Sequence, residues 1–359
     1  MKHICELQNI LEHYFNWNKS RLTVLTNLLL GLFLVKTVNL SELATALYSK
    51  AKIDSNFKRI QRFFNWLIFL DYQDILTDAA IVILDLKNKK NDLVLDRTDW
   101  KFGKKHINIL TLAVNFKGIC IPLAWISLGR AGNSKTRDRI SILKKVIEKI
   151  KINSFTADRE FIGCEWFEFL INSKIPTYIR IKEDTQVLKE NGKYTVGLKD
   201  ICKNINCGKR KIFTDLQILL GVKVYIAASR NFKGELLIVV TNICPKKALK
   251  IYKKRWAIET LFGYLKTKGF RFEDTHMTDP RKIDAWMLIL TLAVIWTLKA
   301  NTLVQTKSIY ASHGRKRKSL FTNCFERLRK CLLCVEGYLD ELLIYIRVLH
   351  RKNIVLNVS

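Results

Sequence analysis

The sequence predicts an α/β core with helical segments on both sides of it along the chain. Three observations indicate this architecture. Apolar residues recur at helical spacing over residues 1–75, β-rich runs alternate with amphipathic runs over residues 92–181, and a helical pattern returns after Arg281. With 359 residues, the chain can bury a sizeable core and form between one and three domains.

Two short helices are predicted near the end of the first segment. Asn39 has the position of a helix cap, because Glu42 follows it at the spacing of a capping box, and the helix would run through Leu43–Tyr48. A turn at Ile53–Ser55 would separate this helix from a second one over Phe57–Trp66.

The second short helix is expected to present basic side chains outward. These are Lys58, Arg59 and Arg62. Two short helices of which the second is basic are typical of a helix-turn-helix, which predicts contact with DNA. An ordinary helical bundle with a solvated basic face is the alternative.

The middle of the chain has the element order of a ribonuclease-H-like domain: three strands in a meander, then helix, strand, helix and strand. The predicted strands are Leu93–Asp96, His106–Val114, Ile119–Leu128, Ser154–Asp158 and Thr177–Ile181, and the predicted helices are Asp138–Lys149 and Cys164–Ser173. A β-rich insertion follows over residues 183–245, with strand patterns at Val222–Ala228 and Glu235–Thr241. Pro245 would open a helix that carries residues 252–266.

Four polar residues of this helix recur at offsets that fall close to one face. Tyr252 is followed by Arg255, Glu259 and Lys266, at offsets of 3, 7 and 14. A face that gathers a carboxylate, two cations and a phenol predicts phosphoryl chemistry on a nucleic acid. A plain ion pair between Arg255 and Glu259, four residues apart, is the alternative.

Two aspartates end apolar strands and are candidate metal ligands. Asp96 follows Leu93–Leu95 and Asp158 follows Ser154–Ala157. Neighbouring strands would bring the two together, and Glu259 would join them from its helix. Hard cations prefer carboxylate oxygens, and two Mg²⁺ ions about 3.5–4 Å apart serve phosphodiester cleavage. An Asp at a strand end can instead cap the following turn.

Two further acids compete with these aspartates. Asp99 lies three residues beyond Asp96, so strand alternation would point it to the opposite side. Glu160 lies two residues beyond Asp158 and could face the same way, in a supporting role.

These motifs together resemble those of the DDE transposases of the insertion-sequence-four group. The segments that carry the resemblance are Asp96–Lys104, Asp158–Gly163, Tyr252–Lys266, Glu273–Met277 and His313–Phe321. The resemblance implies that the three carboxylates bind two Mg²⁺ ions, for which Mn²⁺ substitutes. It also implies that Tyr252, Arg255 and Lys266 hold the DNA backbone near the cleaved end.

The activity that the resemblance implies is cut-and-paste transposition. Hydrolysis at each transposon end would release a 3′-hydroxyl, which would attack target DNA by transesterification. The partners would be double-stranded DNA, as transposon ends and as target, and a homodimer on DNA is expected because both ends are handled together. The setting would be the cytoplasm, at the bacterial nucleoid, with no membrane.

One departure from the family pattern concerns a hairpin step. Leu237 stands where members that make a hairpin on the excised end carry a tryptophan. Tyr225 or Phe232 would have to stack on a flipped base instead.

The expected domains are a helical DNA-binding domain over residues 1–88, a DDE catalytic domain over 89–298 with its insertion at 183–245, and a helical C-terminal region over 299–359. Three other functions stay open. They are a nuclease of the same fold that never joins ends, a decayed copy that binds DNA without cutting it, and a basic helical protein whose motifs are coincidental.

The charge of the chain favours a polyanionic partner. Lys plus Arg outnumber Asp plus Glu by 62 to 32, for a net charge of +30. The excess is concentrated in residues 182–254 and 299–359, although compositional drift toward Lys, Ile and Asn is an alternative source. The apolar runs Leu22–Val35 and Ala285–Leu298 are too short to span a bilayer and are expected to be core helices.

Cysteine usage indicates a reducing compartment. Nine cysteines are an odd number in a chain with no visible secretory signal, which favours free thiols in a cytosol. Cys331 and Cys334, with Cys324 and His313 upstream, are a minor candidate for a zinc site. Buried thiols are the simpler expectation.

Overall fold

The computed structural model describes residues 2–189, 193–303 and 319–350. Within these ranges the chain forms two compact units. The first contains the described residues up to Asp85, Phe102–Lys105 and the described residues from Gly263 onward, and the second contains Leu86–Lys101 and the described residues of His106–Phe262.

The helices and strands follow one another in the chain as an all-helical stretch, a mixed stretch and a second helical stretch. The strands are β1 (Lys90–Phe102), β2 (Lys105–Phe116), β3 (Ile119–Ser127), β4 (Lys151–Ala157), β5 (Thr177–Ile181), β6 (Gln186–Lys189), β7 (Tyr194–Gly197), β8 (Arg210–Leu219), β9 (Val222–Arg230) and β10 (Leu236–Thr241). The helices are α1 (Lys2–Tyr14), α2 (Lys19–Val35), α3 (Leu40–Ala46), α4 (Ile53–Leu67), α5 (Tyr72–Ile83), α6 (Thr136–Ile147), α7 (Cys164–Asn172), α8 (Leu198–Ile201), α9 (Ala248–Tyr252), α10 (Trp256–Gly263), α11 (Pro280–Ala300), α12 (Leu320–Leu333) and α13 (Val335–Arg347).

The described strands form one sheet in the order β3-β2-β1-β4-β5-β10-β9-β8-β6-β7. The central pairs β1–β4 and β4–β5 are parallel, whereas β2–β3 and all pairs from β5–β10 outward are antiparallel. The order β3-β2-β1-β4-β5, with α6 and α7 in the connections, confirms the predicted ribonuclease-H-like arrangement.

The centre of the sheet is apolar and buried. Leu93, Val94 and Leu95 of β1 are all fully buried, as is usual for a strand that is covered on both faces. The parallel register pairs Leu95 with Ala157 of β4. The residues that follow these two partners, Asp96 within β1 and Asp158 just after β4, therefore lie side by side.

The predicted insertion is more closely joined to the core than its sequence indicates. Its last strand, β10, pairs with β5 through Ile238 and Ile181, and β9 then pairs with β10. The strands of the ribonuclease-H-like core and those of the predicted insertion thus share one hydrogen-bonded sheet.

The helix predicted to carry residues 252–266 forms, but it is not a regular α-helix over its whole length. The chain instead passes through α9, a 3₁₀ turn at Lys253–Arg255, α10 and a π-helical turn at Tyr264–Lys268. The π turn closes where the N–H groups of Gly269 and Phe270 both donate to Tyr264 O. A Cβ on Gly269 would lie 2.8 Å from that oxygen, so only glycine fits this closure without a shift.

The two short N-terminal helices begin earlier than predicted. Asn39 does cap α3, accepting a hydrogen bond from Ser41 N, and this helix starts at Leu40. Ile53–Ser55, predicted as a turn, forms the first turn of α4, whose N-cap Lys52 makes no side-chain bond. A cap without a side-chain bond leaves no local sign of the helix start in the sequence.

The first unit is organised around apolar helices. Phe33 of α2 packs against Trp296 of α11 at 5.0 Å and against Phe325 of α12 at 5.1 Å between ring centroids. Helix α11 is long and apolar enough to cross a membrane, and α2 with α3 passes the same test as a bent pair. The apolar window of α11 is 89% buried, which is the environment of a core helix.

The cysteines of the last helices do not form a metal site in the described part of the chain. Cys324 and Cys331 are buried and Cys334 is exposed. No three His, Cys, Asp or Glu residues among those described are grouped to hold an ion. His313, the fourth member of the candidate zinc set, lies outside the described residues.

Candidate active site

The candidate aspartates come together where the parallel pairing of β1 and β4 ends. The prediction that β1 ends at Asp96 is wrong, because this strand continues to Phe102. Asp96 comes directly after Leu95, and Asp158 comes directly after its register partner Ala157. Each carboxylate accepts a hydrogen bond of 2.8 Å from the next backbone N–H, that of Arg97 or Arg159. These bonds orient the two carboxylates at the edge of the sheet.

A single guanidinium joins all three candidate carboxylates. Arg255 donates from Nη1 to Asp96 Oδ2 at 2.7 Å and from Nη2 to Glu259 Oε1 at 2.6 Å. Its Nη2 also lies 4.0 Å from Asp158 Oδ2. The Arg255 side chain is only 11% exposed, so these interactions are weakly screened by water.

Asp158 has two further partners. The phenol of Tyr252 donates to Asp158 Oδ1 at 3.1 Å, and Arg180 Nη1 lies 3.8 Å from the same oxygen. The Arg255 guanidinium lies 5.8 Å from the centroid of the Tyr252 ring. Tyr252, Arg255 and Glu259 therefore meet at the aspartates, although the helix between them is not regular.

Burial is the largest influence on the pKa of Asp96, Arg255 and Tyr252 in this cluster. It raises the pKa of Asp96 to about 6, against the opposing charge of Arg255 and with added repulsion from Asp158 and Glu160. Burial lowers the pKa of Arg255, but Tyr252 and the aspartates outweigh it and leave that pKa above its usual value. Burial likewise raises the pKa of Tyr252, so its phenol stays a proton donor.

The loop that carries Asp158 is held by an arginine that sequence reasoning missed. Arg97 donates from Nε and Nη2 to the two carboxylate oxygens of Glu160, at 3.1 and 2.9 Å. Arg139 of α6 donates to Glu160 O and Ile162 O. Glu160 is thus held within this loop by Arg97. In the sequence, the position of Arg97 next to Asp96 is the feature that could have indicated a role for Arg97 at the site.

The 3₁₀ turn that carries Arg255 is fastened on two sides. Lys254 Nζ lies 2.6 Å from Asp92 Oδ2, and Asn115 Nδ2 donates to Lys254 O at 3.1 Å. Asp92 also accepts hydrogen bonds from Asn153 and Ser154. These contacts hold the backbone of the turn against β1, β2 and β4.

The three carboxylates suit a hard divalent cation, because such ions prefer oxygen ligands. As placed, however, no three acids in the described ranges close on a common point that would hold an ion. Arg255 supplies the positive charge there. Asp96, Asp158 and Glu259 are the residues that would hold a metal, if the Arg255 guanidinium moved away from their oxygens.

The other candidate residues lie in the first unit. Lys58, Arg59 and Arg62 are exposed on α4. Lys266 lies in the π-helical turn, where its Nζ is 2.8 Å from Glu273 Oε1.

The strand order and the site define a protein of the ribonuclease-H-like fold with one aspartate within β1 and another directly after β4. Residues 87–296 match the family model described as "Transposase DDE domain", and the chain belongs to this family. No curated protein sequence matches the chain.

Two solved structures resemble the chain at low identity. A cryo-EM structure of the piggyBac transposase synaptic complex with hairpin DNA is 12% identical, covers 96% of this chain and 78% of its own, and has a TM-score of 0.48. The crystal structure of an endonuclease V from Bacillus subtilis is 10% identical, covers 59% of this chain and 90% of its own, and has a TM-score of 0.26.

Proposed function

We propose that this protein is a cut-and-paste DNA transposase of the insertion-sequence-four group. It would cut at the ends of its element and join the released 3′-hydroxyls to target DNA. The observation that carries the proposal is the meeting of carboxylates from β1, β4 and α10 around one guanidinium inside a DDE domain.

The three carboxylates are assigned to catalysis. Asp96, Asp158 and Glu259 would hold two Mg²⁺ ions, or Mn²⁺ in their place. When bound, such ions supply an activated nucleophile and neutralise the charge on the leaving oxygen. The backbone bonds from Arg97 and Arg159 keep the two aspartates oriented for this task.

Six side chains are assigned to the scissile phosphate and the DNA. Arg255 has the planar fork that matches a phosphate, and Tyr252 beside it donates a hydrogen bond. Lys266 would bind the backbone near the cleaved end. The exposed cations of α4, Lys58, Arg59 and Arg62, would contact duplex DNA from the helical region of residues 1–88.

Assembly follows from the reaction. Two transposon ends must be cut and inserted together, so a homodimer that holds both ends at the bacterial nucleoid is proposed. Gel filtration with light scattering on end DNA tests this: a complex of two chains is expected, and one chain per complex would contradict it.

The test of function is metal-dependent cleavage of DNA that carries the sequences flanking this gene. We expect cuts at the element ends by the native protein with Mg²⁺ and none by Glu259→Gln. Cleavage without joining of a labelled end to a target plasmid would indicate a nuclease instead. Binding without any cleavage would indicate a decayed copy.

The structure of the cut ends addresses the hairpin step. Leu237 packs beside the buried cluster of Tyr178, Ala227 and Val239 and supplies no aromatic ring. A denaturing gel would separate hairpin ends from open ends, and Tyr225→Ala and Phe232→Ala would identify a residue that stacks in place of tryptophan.

A further inference from the structure

A basic groove of about 950 Å³ extends from the candidate site in the second unit. Tyr252 and Arg255 of the candidate site line it, together with other residues of α9 and residues of β8, β9 and β10. The cations along it are Arg180, Lys209, Arg210, Arg230, Lys250, Lys253 and Arg255. Among the described residues that line it, Glu235 is the one acid, and it accepts a hydrogen bond of 2.7 Å from Asn231.

Several of these cations are not used by the fold. Lys209, Arg210, Lys250 and Lys253 are exposed, and none makes an ion pair with any residue in the described ranges. Arg230 differs, since it donates to Ile205 O and Gly234 O and so holds the local backbone. Four unpaired cations along one groove create a field that attracts a chain of negative charges.

The groove also has apolar surface. Leu236, Leu237 and Leu249 line it and are partly exposed. Phe232 is not part of the lining, but its ring lies beside the lining residue Gly208, because a Cβ on that glycine would be 2.7 Å from the ring, and Phe232 is 91% exposed. Charged walls with apolar and aromatic surface between them match a single strand, whose backbone is anionic and whose unpaired bases present flat faces.

We propose that this groove binds a single strand of DNA that leads away from the scissile phosphate. Lys209, Arg210, Lys250 and Lys253 contact its phosphates, and Phe232 stacks on one of its bases. The placement next to the catalytic centre rests on the proposed function, whereas the binding itself does not. These residues position the substrate and take no part in the chemical step.

The test measures binding of a fluorescent oligothymidine strand by anisotropy in EDTA, over a series of KCl concentrations. The variant Arg210→Gln/Lys250→Gln is expected to bind about tenfold more weakly and to lower the slope of log affinity against log salt by about 1.4, for two lost phosphate contacts. Phe232→Ser is expected to weaken binding at least about fivefold without changing that slope.

The matched control is Lys144→Gln/Lys223→Gln. Both lysines are exposed in the same unit, outside the groove, and the variant loses the same charge. We expect less than about a twofold change from it, as for a general field effect. Equal weakening by the groove and control pairs would overturn the proposal, as would a groove effect on duplex DNA but not on the single strand.

A second pair, Lys209→Gln/Lys253→Gln, keeps the test decisive if circular dichroism shows that the first pair misfolds. The assay contains no metal and needs no cleavage. Loss of single-strand binding in a protein that never cuts end DNA would leave the groove assigned and the transposase reaction rejected. Cleavage at the ends with unaltered single-strand binding by both pairs would reject the groove and leave the transposase reaction supported.

Discussion

Arg255 and Asp96 form a buried ion pair, with Nη1 of the guanidinium 2.7 Å from Oδ2 of the carboxylate. The same guanidinium contacts Glu259, so one positive charge interacts with carboxylate oxygens of two candidate metal ligands. A divalent ion would compete with Arg255 for these oxygens. Metal loading and release of the guanidinium toward a phosphate are therefore expected to be linked.

Replacing Arg255 by Met tests this relationship through stability. The carboxylates lose their buried partner, so we expect the free energy of unfolding in EDTA to fall by about 2–4 kcal/mol. Adding Mg²⁺ should restore more stability to the variant than to the native protein. Urea unfolding with EDTA and with Mg²⁺ measures both effects.

Arg180→Met is the control for that variant. Arg180 lies 3.8 Å from Asp158 and its side chain is 31% exposed, so its loss should matter less. Equal losses of stability from the two variants would contradict a central role for Arg255.

Asp96→Asn should abolish cleavage and leave DNA binding nearly intact. The amide keeps the shape of the side chain but loses an anionic oxygen ligand. Asp99→Asn on the same strand is the control, because Asp99 is 59% exposed and contacts Arg97 at 3.7 Å. Cleavage of labelled end DNA and a binding assay check both variants, and an active Asp96→Asn protein would rule out the assignment.

Asp92 is expected to stabilise the fold in a pH-dependent way. Burial raises its pKa, but hydrogen bonds from Lys254, Ser154 and Asn153 outweigh burial and leave the pKa below its usual value. A lowered pKa means that the stabilisation is present above about pH 4 and is lost as the pH falls through the lowered value.

Asp92→Asn should therefore lower the free energy of unfolding by about 1 kcal/mol at pH 7, since Lys254 is partly exposed. The difference from the native protein should shrink near pH 3. Chemical unfolding at the two pH values measures it, and a gap that stays constant would show that the charge of Asp92 is irrelevant.

Glu160→Gln should reduce cleavage about tenfold without abolishing it, because the pair with Arg97 orients the loop of Asp158 from a distance. Asp158→Asn should give no detectable cleavage. Glu165→Gln, an exposed glutamate on α7, is the control and should cleave normally. Full activity in Glu160→Gln would remove this residue from the site.

The closeness of Asp96 and Asp158 can be predicted from the sequence, whereas the contacts of Arg255 with both aspartates cannot. Asp96 and Asp158 each end an apolar run, and parallel neighbours in this fold align such ends. The 3₁₀ turn at Lys253–Arg255 contacts Asp92 and Asn115, which are distant in sequence, so helical periodicity does not reveal these contacts. The sequence offers DNA contact or an ion pair with Glu259 as roles for Arg255, but not its contacts with the two aspartates.

The strand patterns of the insertion are visible in the sequence, but not their attachment to the core. The apolar, β-branched run of residues 236–241 is typical of a strand, yet it does not show which strand these residues join. The pairing of Val240 with Ile179 links residues that are far apart in the chain, and only the folded sheet selects that partner.

The pairing of β10 with β5 also covers one backbone edge of β5. Without β10, the N–H and C=O groups of β5 on that side would be an open edge, and an unpaired edge is a template for strand addition between molecules. A chain trimmed of residues 183–245 is therefore expected to aggregate through β5. By pairing with β5, the insertion would thus prevent the central sheets of different molecules from associating edge to edge.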